Sequence, residues 1–121
     1  MGTTQDIGNW GEDVAAGYLK REGFEILGRN WRDGRNELDI IAEKDGVLHI
    51  VEVKCRKTGS LTAPEDAITP AKFRSLQKAA AAYIEIHGID TEIQFDVIAV
   101  VHNNSGGEIR YIPNAMIPKW Q

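Results

Sequence analysis

Apolar and polar residues recur along the chain in two rhythms, one with the spacing of helices and one with the alternation of strands. The opening stripe has helical spacing and comprises Ile7, Trp10, Val14 and Tyr18, widened by Gly11, Ala15 and Leu19. Gly23 is the expected end of this first helix, because glycine accepts the left-handed backbone that closes many helices. Glu12 lies at the edge of the stripe, so its side chain is expected to point along the core surface.

A second helix is indicated by start and stop signals around another apolar stripe. Thr69 is a favourable N-cap, and Pro70 suits the first helical position. The apolar face comprises Phe73, Leu76, Ala80, Tyr83 and Ile84. Gly88 is the expected end, so these signals predict a helix between Thr69 and Gly88.

The remaining regular segments favour β-strands, because they are rich in Ile and Val or bounded by turn residues. They cover residues 24–27, 37–42, 47–55, 93–101 and 109–112. Expected loops or turns are residues 31–36, 56–68 and 103–107, and Asp45-Gly46 is a strong hairpin signal. The helix between the third and fourth strands favours a parallel pair inside a mixed sheet. We predict one α/β domain spanning residues 1–121, with element order α-β-β-β-α-β-β.

Composition narrows the class of protein. A length of 121 residues suits one ordinary domain. The single cysteine, Cys55, cannot form an internal disulfide, which favours a reducing compartment. No apolar run approaches the roughly 20 residues of a membrane span, and residues 1–10 lack a secretory signal. We therefore expect a cytoplasmic protein that does not enter a membrane.

Charge is unevenly distributed along the chain. The formal net charge of -4 argues mildly against a general nucleic-acid coat protein. Basic residues nevertheless flank one short acidic segment, and they comprise Arg29, Arg32, Arg35, Lys54, Arg56 and Lys57. The acidic residues between them are therefore the first place to look for chemistry.

The acidic segment lies on the two strands of the predicted hairpin. Counting outward from a two-residue turn places Asp39 directly opposite Glu52, and Glu37 opposite Lys54. Directly opposed residues share a face and have β-carbons about 4.5–5.5 Å apart. Glu52 and Lys54 also share a face, because side chains in a strand alternate with period two.

Two opposed carboxylates are costly without a partner. At about 4 Å they repel by about 1 kcal/mol in water and about 4 kcal/mol at an intermediate dielectric constant. Either one takes up a proton or a cation lies between them, and carboxylate oxygens suit Mg²⁺ or Mn²⁺. Such an ion activates water and offsets phosphate charge, with Lys54 beside it to orient the water. The alternative is a pair of solvent-facing acids with an ordinary Glu37–Lys54 ion pair, which the apolar neighbours Leu48 and Ile50 disfavour.

Several motifs in this chain resemble those of a known nuclease family. Glu37-Leu38-Asp39-Ile40-Ile41 followed by Val51-Glu52-Val53-Lys54 resembles the split Asp…Glu-x-Lys signature of the PD-(D/E)xK nuclease superfamily. Further matching segments are Gly8-x-x-Gly11-Glu12-x-x-Ala15, Asn30-Trp31-Arg32, Ala67-Ile68-x-x-x-Lys72 and Phe95-Asp96-Val97-Ile98. Together these segments resemble the YraN-like branch, which is related to archaeal Holliday-junction resolvases. Leu38 stands where the superfamily's nominal proline precedes the first acid.

The resemblance implies a restriction-endonuclease-like mixed β-sheet flanked by helices, with a metal-dependent site. Asp39, Glu52 and the backbone carbonyl of Val53 would bind Mg²⁺ or Mn²⁺, and Lys54 would be the catalytic lysine. Glu12 matches the helix glutamate that assists metal or water binding in resolvase-like nucleases.

Basic residues around this segment are candidates for contacts with nucleic-acid phosphates. They are Arg32, Arg35, Arg56, Lys57 and Lys72, and the alternative for each is an ordinary solvated surface. Lys72 has the stronger claim, because it lies in the first turn of the predicted helix and matches the family pattern. Asp96, in an apolar strand, is expected to be a structural carboxylate. His49 is excluded, because it alternates onto the face opposite Glu52.

Three functions stay open at this point. The first is a Mg²⁺-dependent endonuclease that hydrolyses DNA phosphodiester bonds, with branched or repair intermediates as expected substrates. The second is a nucleic-acid-binding subunit of the same fold with little activity alone. The third is a non-catalytic structural or interaction domain. DNA is the expected partner, and a homodimer is left open.

Overall fold

Two helices lie on opposite faces of a five-stranded sheet in the part of the chain that the computed structural model describes, residues 4–57, 68–103 and 106–116. In chain order the elements are α1 (Thr4–Arg21), β1 (Glu25–Asp33), β2 (Asn36–Lys44), β3 (Val47–Lys57), α2 (Pro70–His87), β4 (Glu92–Asn103) and β5 (Gly106–Met116). The strands stand in the order β1-β2-β3-β4-β5, with β3 and β4 parallel and the other neighbours antiparallel. This arrangement confirms the predicted element order and the mixed sheet.

The ends of both helices follow the signals in the sequence. Thr69 caps α2, since its Oγ1 accepts a hydrogen bond from the backbone N–H of Lys72 at 3.1 Å. Pro70 is the first helical residue, and Gly88 ends the helix with φ 62°. Gly23 follows α1 with φ 92°. Both glycines adopt the left-handed region that residues with a β-carbon rarely enter.

Each face of the sheet has its own apolar core, covered by one helix. On the α1 face the buried residues are Ala15, Ala16, Leu19, Phe24, Ile40, Ala42, Val51, Ile98 and Val100. On the α2 face they are Leu38, Ile41, Leu48, Ile50, Leu76, Ala79, Ala80, Tyr83, Phe95, Val97 and Met116. Residues of β3 and β4 alternate between the two cores, as burial of both faces requires. None of the helices in the described ranges combines the length and apolar character needed to cross a membrane.

The helix α1 approaches β3 closely at Gly11. A β-carbon at this position would lie 3.2 Å from Sγ of Cys55 and 3.3 Å from the β-carbon of that residue. The missing side chain therefore lets the helix backbone come close to the sheet. This contact fixes the place of the next residue, Glu12, over the second half of β3.

The first two strands extend further than the sequence predicts. A loop is expected at residues 31–36, but only two residues separate β1 from β2. Gly34, with φ 61°, allows this tight turn. Trp31 packs edge-to-face on Tyr83 of α2, with ring centroids 5.4 Å apart. This long-range contact stabilises a strand where local preferences favour a loop, so the loop prediction is wrong.

The other differences concern strand ends around β4. Backbone pairing with β4 continues to the end of β3 at Lys57 and extends β5 beyond the predicted residues 109–112. Pairing therefore lengthens both strands where the local sequence predicts turns. Residues 58–67 of one predicted loop and residues 104–105 of the predicted turn lie outside the described residues.

Candidate functional site

The register of β2 against β3 is set by the two-residue turn between them. Asp45 and Gly46 have φ values of 53° and 78°. A tight hairpin turn that matches the twist of its strands requires positive φ at both positions. Lys44 pairs with Val47, so the pairing follows the register that the sequence predicts.

The candidate site lies where β2 and β3 separate. Backbone pairing runs from the turn to Ile40 and Val51. Beyond this pair the side chain of Asp39 continues the bonding, because its Oδ2 accepts a hydrogen bond from the backbone N–H of Val53 at 2.9 Å. Glu52 lies between these contacts on β3. The structure thus brings Asp39 and Glu52 together on adjacent antiparallel strands, as the turn predicts.

The surroundings of Asp39 favour the protonated form of its carboxyl group. Burial, followed by the charge and close approach of Glu52, raises the pKa of Asp39 to about 8. The charge of Glu12 acts in the same direction on this pKa, and the N–H of Val53 opposes it. Keeping a proton is one of the two ways to relieve the repulsion between neighbouring carboxylates. Binding a cation is the other.

Glu52 is almost fully buried, with 3% exposure, and its two oxygens have different surroundings. Oε2 lies 3.3 Å from Nζ of Lys54 and 3.4 Å from Nζ of Lys72. Oε1 is buried without a hydrogen-bond partner among the residues that the structure describes. Buried polar atoms are nearly always hydrogen-bonded, because an unpaired one costs free energy. Oε1 therefore has unused capacity for a cation or a water molecule.

The two lysines reach Glu52 from different elements. Lys54 follows Glu52 by two residues on β3 and therefore shares its face, whereas Lys72 belongs to the first turn of α2. The Lys54 side chain is 19% exposed and that of Lys72 is 39% exposed. The sequence places Lys54 in the site and Lys72 among the phosphate contacts. The structure brings both ammonium groups to the same carboxylate oxygen.

Glu12 approaches the carboxylate pair from the α1 face. Its Oε1 accepts hydrogen bonds from Nδ2 of Asn30 at 2.8 Å and from Nη2 and Nε of Arg29 at 3.3 and 3.4 Å. The Glu12 side chain is 12% exposed, and its charge contributes to the raised pKa of Asp39. Glu12 is therefore close enough for its charge to act on Asp39, while its described hydrogen-bonding partners are Asn30 and Arg29.

Asn30 is a site residue that sequence reasoning missed. It belongs to a motif shared with the resembling family, but nothing in the motif predicts a contact with Glu12. The available signal is its residue type, since asparagine tolerates positive φ better than most residues. Asn30 has φ 52° in the structure.

The four other basic residues that are predicted to contact phosphates each lie in a different environment. Arg32 is 73% exposed, and its Nε lies 2.9 Å from Oε2 of Glu37. Arg35 is exposed in the turn between β1 and β2. Arg56 is half-buried, and its Nη1 donates to the backbone carbonyl of the preceding residue at 3.3 Å. The backbone of Lys57 ends β3, but its side chain lies outside the described part of the chain.

Glu37 does not pair with Lys54. The hairpin count places them opposite each other, but the pairing of β2 with β3 ends before it reaches them. Glu37 instead pairs with Arg32 across β1 and β2, while Lys54 contacts Glu52. The separation of the strands thus excludes the ordinary Glu37–Lys54 ion pair.

The groups that fit a divalent cation here are two carboxylates and a backbone carbonyl. Among the described residues, no three His, Cys, Asp or Glu side chains form a cluster arranged to hold a metal ion. The N–H and C=O of one strand residue point to the same side, so the Val53 carbonyl faces the gap into which its N–H donates to Asp39. Mg²⁺ is commonly held by one or two carboxylates and keeps several waters. Asp39, Glu52 and Val53 therefore suit such an ion without a third carboxylate.

A second buried carboxylate, Asp96, has very different surroundings. Its Oδ2 lies 2.7 Å from Nδ1 of His49 and accepts a hydrogen bond from the hydroxyl of Tyr111 at 2.8 Å. Its Oδ1 accepts from Nε2 of Gln94 at 2.9 Å and from the backbone N–H of Asn114 at 3.0 Å. Because a carboxylate only accepts, His49 donates through Nδ1. These four contacts agree with the prediction that Asp96 is structural.

Comparison with known proteins identifies the family. The family model described as "Uncharacterised protein family UPF0102" matches residues 11–100. A UPF0102 protein of Bacteroides fragilis is 44% identical over 112 residues, which cover 93% of each chain. UPF0102 proteins of Flavobacterium psychrophilum and Syntrophomonas wolfei are 38% and 39% identical, over 95% and 92% of this chain and 97% of each relative. The chain therefore belongs to the uncharacterised protein family UPF0102, which confirms the YraN-like resemblance.

Proposed function

We propose that this protein is a metal-dependent nuclease that hydrolyses phosphodiester bonds in DNA, with branched and repair intermediates as its substrates. The observation that carries this proposal is the buried pair of Asp39 and Glu52, in which Oε1 of Glu52 lacks a partner among the described residues. The raised pKa of Asp39 has the same origin. Titratable groups perturbed in this way cluster at functional sites. The resemblance of the YraN-like family to PD-(D/E)xK nucleases adds support.

The cation would be held by Asp39, Glu52 and the carbonyl of Val53. When bound, such an ion lowers the pKa of a water molecule and offsets negative charge on a phosphate. Oε1 of Glu52 has the unused acceptor capacity for this contact. Asp39, which binds a proton at neutral pH, would release that proton, because ligating carboxylates are ionised.

Lys54 and Lys72 would supply positive charge from the protein. Both ammonium groups lie beside Oε2 of Glu52, and both side chains keep some exposure to solvent. An ammonium group can donate to a phosphate oxygen or orient a water molecule, and such charge-assisted hydrogen bonds are strong. Lys54 is the more buried and lies on the same strand as Glu52. We therefore assign it the catalytic role and assign Lys72 a phosphate contact.

Contacts with the DNA backbone are assigned to basic residues around the site. They are Arg32, Arg35, Arg56, Lys57 and Lys72. The Arg32 side chain is 73% exposed, so its guanidinium is accessible to a phosphate although it also pairs with Glu37. Because the net charge of the chain is -4, binding would depend on these local charges rather than on the overall charge. Binding should weaken steeply with salt, since neutralised phosphates release counterions.

Cleavage of a panel of DNA structures tests the proposal. Linear duplex, single-stranded, forked and four-way-junction DNA are incubated with the full chain in Mn²⁺, in Mg²⁺ and in EDTA. We expect metal-dependent cleavage by the wild type and none by Asp39→Ala, Glu52→Gln or Lys54→Ala. Lys78→Ala and Glu85→Gln are the matched controls, because both residues are exposed on α2. These controls should cleave like the wild type.

The same panel separates the three functions left open by the sequence. Salt-sensitive DNA binding without cleavage would overturn the nuclease assignment in favour of a binding subunit. The absence of both DNA binding and metal binding would favour a structural domain. Cleavage that persists in Asp39→Ala would point to a contaminating nuclease or to a different site.

A further inference from the structure

Asn30 interrupts the regular course of β1 beside the candidate site. Its φ of 52° lies in the left-handed region, which asparagine enters more readily than most residues with a β-carbon. The flanking residues of β1 pair with Leu38 and Ile40 of β2. Asn30 therefore lies opposite Asp39 on the neighbouring strand.

The left-handed backbone at Asn30 redirects the side chains around it. In a regular strand, Arg29 and Trp31 would share a face. Here Arg29 and Asn30 both contact Glu12 of α1, whereas Trp31 packs on Tyr83 of α2. The change in backbone direction therefore sends the Asn30 amide to the face on which Glu12 lies.

The shortest described contact on Glu12 comes from Asn30. Nδ2 of Asn30 donates to Oε1 of Glu12 at 2.8 Å, while the Arg29 nitrogens lie 3.3 and 3.4 Å from the same oxygen. Arg29 makes its short contact with Asp13, at 2.7 Å. The Asp13 hydrogen bond is also the largest cause of the raised pKa of Arg29. Within the described residues no hydrogen bond engages Oε2 of Glu12.

We propose that Asn30 is a positioning residue that holds Glu12 beside Asp39, leaving the second oxygen of Glu12 available to a divalent cation or its water. This inference rests on the proposed function. The Asn30 amide orients the carboxylate without adding positive charge to that of Arg29, whose nitrogens lie 3.3 and 3.4 Å from the same oxygen. Residues that orient metal-binding groups typically contribute about 10- to 100-fold to metal affinity.

Glycine substitution separates positioning from a purely structural role. Asn30→Gly removes the amide but still allows φ 52°, because glycine accepts this region freely. Asn114→Gly is the matched control, because Asn114 also has φ 52° and contacts Asp96 through its backbone N–H. Thermal melts of the metal-free full chain show whether both variants stay folded. Calorimetric titration with Mn²⁺ then measures affinity independently of cleavage.

We expect Asn30→Gly to lower Mn²⁺ affinity at least about tenfold and Asn114→Gly to leave it unchanged. Glu12→Gln should cause a loss similar to that of Asn30→Gly. The double variant should lose no more than either single variant, because both act through one contact. If Asn30→Gly fails to fold, Asn30→Asp decides the matter. Aspartate tolerates the same backbone. Its carboxylate cannot donate to Glu12, so Mn²⁺ affinity should fall even though a negative charge is added.

Two results would overturn the inference while leaving the proposed function standing. One is wild-type Mn²⁺ affinity in the folded Asn30 variants. The other is a double variant whose loss is the product of the two single losses. A wild type that does not bind Mn²⁺ would overturn the proposed function, and this inference with it.

Discussion

Two buried carboxylate regions lie on neighbouring strands, and they differ in how their charge is compensated. Asp96 has no exposure, and each of its oxygens has two hydrogen-bonding partners. Glu52 is 3% exposed, with two lysines beside one oxygen and no described partner for the other. Asp96 pairs with Val51 in the β3–β4 ladder, one residue away from Glu52. Neighbours in one sheet can thus differ completely in how their charge is compensated.

The difference separates a carboxylate that stabilises the fold from a carboxylate pair that is suited to a ligand. At Asp96, full hydrogen bonding offsets the cost of burial. At Asp39 and Glu52, repulsion and an oxygen without a partner among the described residues leave that cost in place. Functional sites commonly trade stability for activity in this direction. The same chemical substitution should therefore have opposite consequences in the two regions.

The largest effect on stability is expected for Asp96→Asn. The amide nitrogen would face groups that are themselves donors, and at least one buried donor would lose its acceptor. We expect a loss of about 3 kcal/mol in the free energy of unfolding, measured by urea denaturation. Asp39→Asn at neutral pH should lose less than about 0.5 kcal/mol or gain stability. Similar losses in both variants would remove the distinction between the regions.

Metal should stabilise the wild type through the Asp39–Glu52 region alone. Mn²⁺ at about 100 times its Kd should add about 2.7 kcal/mol, since a ligand bound only by the folded state stabilises that state by mass action. Thermal melts with and without Mn²⁺ measure this shift. Asp39→Asn should show a much smaller shift, because one charged ligand is missing. A wild-type melting temperature that does not change with Mn²⁺ would contradict the proposed difference between the two regions.

The stability difference between wild type and Asp39→Asn should also depend on pH. The pKa of Asp39 is about 8 in the folded protein, against an ordinary value of 3.8. A raised pKa gives the wild type extra stability that is fully present below about pH 4 and is lost as pH rises through about 8. The variant lacks this loss, so its stability relative to the wild type should rise with pH, by up to about 1.4 kcal/mol per pH unit between about pH 5 and pH 8. Metal-free melts across this window check the slope, and a constant difference would argue against it.

The smallest effect on stability is expected for Arg32→Gln, outside both regions. The Arg32–Glu37 pair has side-chain exposures of 73% and 33%, and such pairs contribute about 0–1 kcal/mol. The variant should nevertheless reduce the salt dependence of DNA binding by about one phosphate contact. Titrations at several salt concentrations measure this slope. An unchanged slope would remove Arg32 from the proposed DNA contacts.

The hairpin is the part of the site that the sequence could predict. The Asp45-Gly46 turn sets the register by local backbone preference, so the proximity of Asp39 and Glu52 follows by counting. The caps of α2 are predictable for the same reason, because Thr69 acts on residues within one turn. Short-range interactions therefore determine both the register of the hairpin and the ends of α2.

Other features of the site and the fold depend on long-range packing, so the spacing of residues in the sequence does not predict them. Lys72 reaches Glu52 because α2 crosses between two parallel strands. Asn30 has a left-handed backbone, and its side chain donates a hydrogen bond to Glu12, which is 18 positions away in the chain. The aromatic contact of Trp31 with α2 likewise turns an expected loop into a strand. Each contact arises only when separate elements meet.

Asp39 and Glu52 belong to a hairpin whose strands can pair without any distant part of the chain. Hairpins form within about 1–10 microseconds, whereas contacts between more distant segments must first offset a larger loop-closure entropy. We therefore expect the two acids to meet before Lys72 of α2 arrives beside Glu52. Their repulsion then belongs to the folding barrier itself. Neutralising Asp39 should speed folding more than it slows unfolding.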